Sequence, residues 1–209
     1  MIFYDCLTAP SPRRARVILH EKQVPHEVVH IDFAKSEQLS DEFKLINPAC
    51  TVPALKLDDG TVLTEHSGIA AYLESAFPNP PLLGTTDVDK GLIASWNSKI
   101  EFEGLYAIAE ALRNSSPMLK GRAITGPNNY QQIPELAERG LARLAVFFDN
   151  LNTHMQGRKF VATNEFSIAD ISAVIAIDFA RIVKAAPNEQ HENLIAWRAS
   201  LADRPSLNV

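Results

Sequence analysis

The sequence predicts a chain in two parts, a small α/β sheet domain followed by an all-helical bundle. Three observations carry this. The first 77 residues alternate short apolar runs with turn signals. A proline-rich stretch, PNPPLLG at 78–84, then breaks the pattern, since its prolines suit neither helix nor strand interiors. Every apolar pattern beyond it has helical spacing.

The elements of the first part follow in order. Residues 2–5, IFYD, read as a short buried strand. Ser11-Pro12 reads as a helix start, with Ser as N-cap and Pro in the first helical position. Ala15, Ile18, Leu19 and Lys22 continue at helical spacing. Residues 26–33, HEVVHIDF, alternate and predict a second strand, parallel to the first with a right-handed crossover. A short helix over 38–46 ends before Asn47-Pro48. Strands 53–57 and 61–64 form a hairpin through Asp59-Gly60, the strongest turn signal in the chain. The second strand runs into Glu65-His66-Ser67, which opens a helix over 65–76. The order βαβαββα is thioredoxin-like.

The second part carries helical spacing over 87–113, including Leu92, Trp96 and Ile100. Residues 113–133 are rich in Pro, Gly and Asn and predict a loop or broken helix. Over 134–153, Leu141, Leu144, Ala145 and Phe148 predict one apolar stripe. Ser167 to Asp170 is a capping box before a nearly all-apolar helix, 168–183, expected at the centre of this half. A last helix spans 189–202. The expected domains are therefore 1–77 and 87–209, with 78–86 as linker.

Composition narrows the function. The 209 residues are 46% hydrophobic and 22% charged, so a globular chain is expected. A net charge of -5 without a basic block argues against nucleic acid or an anionic membrane as partner. The Arg13, Arg14, Arg16 cluster reads as a solvated or substrate-side face. The N-terminus meets Asp5 too early for a secretory leader, and the longest apolar stretch, 168–180, is too short to span a bilayer. Cys6 and Cys50 form no C-x-x-C, which suits a reduced cytoplasmic setting. The six histidines show no metal-site spacing, so no metal is expected.

At this point the whole chain resembles a cytosolic glutathione transferase. The marks are APSPRRAR at the first helix, NPACTVPAL at 47–55, L-x-x-D-G-x-x-L-T-E at 55–65, IAAYLE at 69–74, FSIADI at 166–171 and RPS near the end. The resemblance implies glutathione as co-substrate, a small electrophile as second substrate, a detoxification setting and a two-fold homodimer. It also implies a cis bond between Val52 and Pro53. The Val52 main chain then pairs with the cysteinyl part of glutathione as a strand would. Glu65 meets the γ-glutamyl ammonium, and the helix start at His66 meets the carboxylate. The family's usual residue after the acid is Ser, so His66 is a departure. Gln38 falls where the family places a partner for the glycine end.

Taken singly, these residues have plainer readings. Glu65 also reads as a first-turn acid on the helix dipole, Pro53 as a strand-start proline and Gln38 as solvent-facing. Cys6 and Cys50 read as small buried hydrophobes.

The thiol-activating group is less legible. Free thiols titrate near 8.5 and only the thiolate attacks, so the enzyme must favour the anion. Family members supply Tyr, Ser or Cys, and here the corresponding position is Ala9. The start MIFYDCLTAPSPRRAR resembles an atypical branch found in fungi and bacteria, in which a Ser and a His on the first bundle helix hold an activating water. Those positions here are Ala109 and Arg113. Ser11 with the first helix N-terminus is the favoured candidate; Thr8, and Arg113 with Asn114, stay open. The electrophile is expected in the cleft between the halves, against Tyr106, Leu112, Asn114 and Met118. Two other readings compete: a non-catalytic glutathione binder, favoured by Ala9, and a thiol–disulfide reductase, disfavoured by it.

Overall fold

A computed structural model describes all 209 residues. It divides into two compact units. The first holds Met1–Leu82 with Thr125–Asn128 and Val209, and the second holds Leu83–Ile124 with Asn129–Asn208. No helix is long and apolar enough to cross a membrane.

The first unit has the thioredoxin-like order. Strand β1 (Ile2–Asp5) pairs in parallel with β2 (Glu27–His30) and antiparallel with β3 (Ala54–Lys56). Strand β4 (Val62–Thr64) pairs antiparallel with β3, giving the sheet order β2-β1-β3-β4. Helix α1 (Pro10–Glu21) packs on α3 (His66–Ala76), and a short α2 (Asp41–Ile46) precedes β3. Phe3, Ile18, Leu19, Leu55, Ile69 and Leu73 are fully buried. Each contributes roughly 1.5–3 kcal/mol by leaving water.

The Asp59-Gly60 turn forms as the sequence predicts. Gly60 takes φ +89, and the Asp59 carboxylate accepts from the Thr61 N–H at 2.9 Å. Strand β2 is shorter than predicted. Asp32 takes the Ala34 N–H at 2.8 Å and starts a 3₁₀ turn that ends the strand. The predicted helix over 38–46 is split. Ser40 is extended and its hydroxyl accepts from the Phe43 N–H, so it caps α2 rather than lying inside a helix.

Lys22 organises the back of this unit. Its side chain is fully buried, and Nζ donates to the carbonyls of Phe77 at 2.8 Å and Pro80 at 2.7 Å. It also pairs with Glu74 Oε2 at 2.8 Å, and the Glu74 carboxylate takes the Leu82 N–H in turn. One ammonium thus closes the end of α3 and fixes the chain beyond it.

The second unit is all helical. Helix α4 (Asp87–Lys99) starts on a Thr86/Asp89 capping box and runs through a π-helical turn, Ile100–Leu105, into α5 (Tyr106–Ser115). Its buried face holds Ile93, Asn97 and Ile100, whereas Leu92 is 43% exposed. Helix α6 (Pro134–His154) buries Ala137, Gly140, Leu144, Phe147, Phe148 and Leu151. The predicted stripe is therefore rotated by one position, and Leu141 and Ala145 are exposed. Close packing of α5 on α6 sets that rotation. A Cβ at Gly140 would sit 2.7 Å from the Ala107 carbonyl oxygen, so only glycine lets the helices meet there.

Helix α7 (Ile168–Phe179) is buried on nearly all sides, and its last predicted turn is 3₁₀. Asp170 accepts from the N–H groups of Val161 at 2.7 Å and Ser167 at 2.9 Å. Burial nonetheless pushes its carboxyl up to about 6. Helix α8 (Glu192–Ser200) closes the unit on Leu194 and Trp197.

Replacing Lys22 by Met is expected to lower unfolding stability by about 2–4 kcal/mol, because Glu74 and two carbonyls lose a charged donor. Urea unfolding monitored by circular dichroism measures it.

Candidate functional site

The sheet registers bring three chain segments of the first unit together. Tyr4 faces Ala54 and Ala54 faces Thr64. The C-terminal ends of β1 and β4 thus lie at the end of the sheet where β3 begins. Tyr4, Cys6, Phe43, Val52 and Ala54 form one packed cluster, with Ala9 against it. The turn after β1, the entry to β3 and the start of α3 therefore share one end of the sheet.

Strand β3 pairs only from Ala54 onward, so the Val52 main chain lies outside the ladders. The peptide bond between Val52 and Pro53 is cis. Asn47 fixes the approach: its Nδ2 donates to the Thr51 carbonyl at 2.8 Å, and its Oδ1 accepts from the Ala49 N–H at 3.1 Å.

Helix α1 starts earlier than predicted. Ala9 is the N-cap residue, Pro10 the first helical position and Ser11 the second. Ser11 is not the N-cap, and its side chain makes no capping bond. Two prolines in this turn remove two N–H groups, and the Arg13 N–H reaches the Ala9 carbonyl at 3.4 Å. Ser11 is thus the first-turn residue whose N–H and hydroxyl both remain available. Thr8 is exposed, its Oγ1 3.5 Å from Cys6 Sγ.

Glu65 is exposed and is the N-cap residue of α3, so the helix begins at His66, one position after the predicted start. It holds φ +62 and ψ 143, a conformation costing a non-glycine residue about 1–3 kcal/mol and concentrated at functional sites. The first-turn N–H groups of an eleven-residue helix follow it, a ready anion-binding end.

The His66 side chain departs from the expectation that it meets a ligand. It is 2% exposed, and neither ring nitrogen has a hydrogen-bond partner. Burial, with the Arg14 charge nearby, holds its pKa well below the ordinary value, so the ring is neutral. What His66 offers is its main chain. The exposed side chain at the helix start is that of Ser67, a hydroxyl one position after His66 that the spacing marks as part of the helix opening and not as a ligand group. Gln38 lies on a 3₁₀ turn, Glu37–Leu39, and its buried carboxamide oxygen has no partner.

The remaining candidates lie on the second unit. Tyr106 and Met118 are 66% and 93% exposed, and Leu112 is half-buried. The Asn114 amide is engaged at both ends: Nδ2 donates to the Glu110 carbonyl at 2.9 Å and Oδ1 accepts from the Ile133 N–H at 3.0 Å. These two bonds make buried Asn114 a structural clamp between α5 and Ile133. Arg113 donates through Nη1 to the Arg122 carbonyl at 2.5 Å, and burial lowers its pKa. Ala109 has no donor to offer.

Comparison with known proteins matches residues 8–76 to the glutathione S-transferase N-terminal domain and residues 113–205 to the glutathione S-transferase C-terminal domain. Glutathione S-transferase 2 of Saccharomyces cerevisiae is 34% identical over 209 residues, covering 99% of this chain and 88% of that protein. The chain belongs to the glutathione S-transferase family. The crystal structure of Gtt2 from Saccharomyces cerevisiae superposes with a TM-score of 0.90 at 32% identity, covering 100% of this chain and 99% of that one. A glutathione S-transferase domain-containing protein of Marinobacter aquaeolei superposes at 0.89 with 30% identity, covering 99% and 100%.

The buried neutral His66 of this family member gives a pH signature. Its pKa is lower folded than unfolded, so its contribution to stability is present above about 6.5 and is lost as pH falls below that value. The slope approaches about 1.4 kcal/mol per pH unit for one proton. His66→Gln is expected to flatten this slope between pH 6.5 and 5, measured by urea unfolding of both proteins; equal slopes would show that His66 does not titrate this way.

Proposed function

We propose that this chain catalyses the conjugation of reduced glutathione to small, partly apolar electrophiles. Family membership supports the glutathione chemistry. The observation that carries it to particular residues is the shared sheet end, where an unpaired Val52 main chain stands beside two helix starts. Val52 pairs with the cysteinyl part of the tripeptide. Glu65 takes the γ-glutamyl ammonium, and the His66 and Ser67 main chain, with the Ser67 hydroxyl, takes its carboxylate. Gln38 supplies its carboxamide to the glycine end.

The thiol lies by the Ser11 N–H and hydroxyl in this reading. Both stabilise the thiolate more than the thiol, as does the positive end of α1. Lowering a thiol pKa by about two units takes roughly 2.7 kcal/mol, within reach of such donors. Tyr106, Leu112 and Met118 supply apolar surface for the electrophile, which favours broad specificity. A cytoplasmic homodimer is the expected assembly; a two-chain mass in sedimentation velocity would support the dimer, and a one-chain mass would contradict it.

Ala9 favours a second reading, a glutathione binder without turnover, since it brings no hydroxyl to the family's usual position. An aryl-halide conjugation assay separates the two. Turnover with glutathione supports the transferase; binding without turnover supports the binder.

Ser11→Ala is expected to lower kcat by about tenfold or more with little change in glutathione affinity. An unchanged kcat would remove the hydroxyl from the mechanism. Glu65→Gln is expected to weaken glutathione binding by roughly tenfold, read as a raised KM for glutathione.

A further inference from the structure

The first unit holds a second feature, apart from the glutathione reading. A cavity of about 420 Å³ lies between α1, β1 and β2. Small-molecule pockets begin at roughly 300 Å³. Its walls are apolar, from Phe3, Leu19, Val24 and Val28. Asp5 and Arg16 also line it.

These two charged groups are poorly served by the fold. Asp5 is 0% exposed, and its two carboxylate oxygens have no well-aligned hydrogen bond, the Cys6 N–H alone lying close enough to favour the charge. Arg16 Nη1 lies 3.2 Å from Asp5 Oδ2, an ion pair without hydrogen-bond alignment, and the buried Arg16 Nε has no acceptor. His30 Nδ1 stands 3.8 Å from the same oxygen, on a side chain 59% exposed. Burial raises the Asp5 pKa despite these cations. Spare acceptors and a spare donor thus sit side by side at the wall of an apolar cavity. Buried groups left in this state destabilise the fold, and a partner from outside the chain relieves that cost.

Charge selects the partner. An organic cation would meet Arg16 and the imidazoles of His20, His26 and His30. An anion would meet Asp5. The pair itself is neutral, so an uncharged head that both donates and accepts fits best. His26 Nδ1 is already engaged by the Val24 carbonyl at 2.7 Å, which leaves Asp5 and Arg16 as the polar end.

We propose that this cavity binds an uncharged, flat molecule with an amide edge, an N–H beside a C=O as in a lactam or nucleobase. The ligand N–H donates to Asp5, its carbonyl accepts from Arg16, and its apolar body lies against Phe3, Leu19, Val24 and Val28. His30, as the exposed cover of Asp5, turns aside to admit it.

The test uses the full chain, with 2-quinolinone and N-methyl-2-quinolinone as probes, in calorimetry and amide NMR, with and without excess glutathione. Methylation removes the single donor and keeps the apolar body. The parent lactam is expected to bind one-to-one, shift the signals of Leu19, Val24 and Val28, and bind at least about tenfold tighter than the methyl compound. Val28→Trp, which fills the cavity from an exposed edge strand, is expected to abolish the shifts and leave conjugation unchanged. Equal affinities for the two probes, shifts confined to other residues, or no binding at millimolar concentration would overturn the proposal, and the probe comparison needs no variant to fold.

Discussion

Antiparallel pairing of β3 with both β1 and β4 determines where Val52 and the starts of α1 and α3 stand. The ladders start at Ala54, so Val52 overruns the sheet with its main chain unpaired by either neighbour. The same registers carry β1 into the turn before α1 and β4 into Glu65. Two helix N-termini and one open strand end thus converge without any loop being long. A shift of one residue in this register would turn Ala54 and Leu55, both fully buried, toward the wrong faces and move Val52 from its place. The hydrophobic core and the site are fixed by one set of hydrogen bonds.

Main-chain dipoles act at this sheet end beside the side-chain charges. The first turns of α1 and α3 present positive ends, and the exposed acid Glu65 stands beside one of them. His66 adds no charge, because burial and Arg14 hold it neutral. Pro10 and Pro12 thin the donors of α1 until the Ser11 main chain and hydroxyl remain. That thinning matters because the N-cap residue, Ala9, brings no hydroxyl of its own.

The parts legible in the sequence are those whose signal is local. Asp59-Gly60 marks its hairpin because the turn needs a positive φ, and Ser167 to Asp170 marks α7 because the cap is built within four residues. The two-part order follows from periodicity alone. What escaped depends on partners distant in sequence. The rotation of α6 is set by the contact of Gly140 with Ala107, which no spacing within α6 reveals. The start of α1 turns on a competition between Ser11 as cap and Pro10 as first helical residue, which the proline won. His66 reads as a polar ligand group by position, yet packing within the unit takes its ring into the interior. Asn114 looks available by type, and its amide is spent on Glu110 and Ile133.

The central claim is that this sheet end binds the tripeptide through main-chain pairing at Val52 and the positive start of α3. Amide NMR on the labelled chain, titrated with reduced glutathione, tests it most directly. The account predicts saturable shifts at Val52, His66 and Ser67, with the Val52 and Ser67 amide protons slowed in exchange. Shifts elsewhere with those three signals unmoved, or no saturable change up to millimolar glutathione, would contradict it.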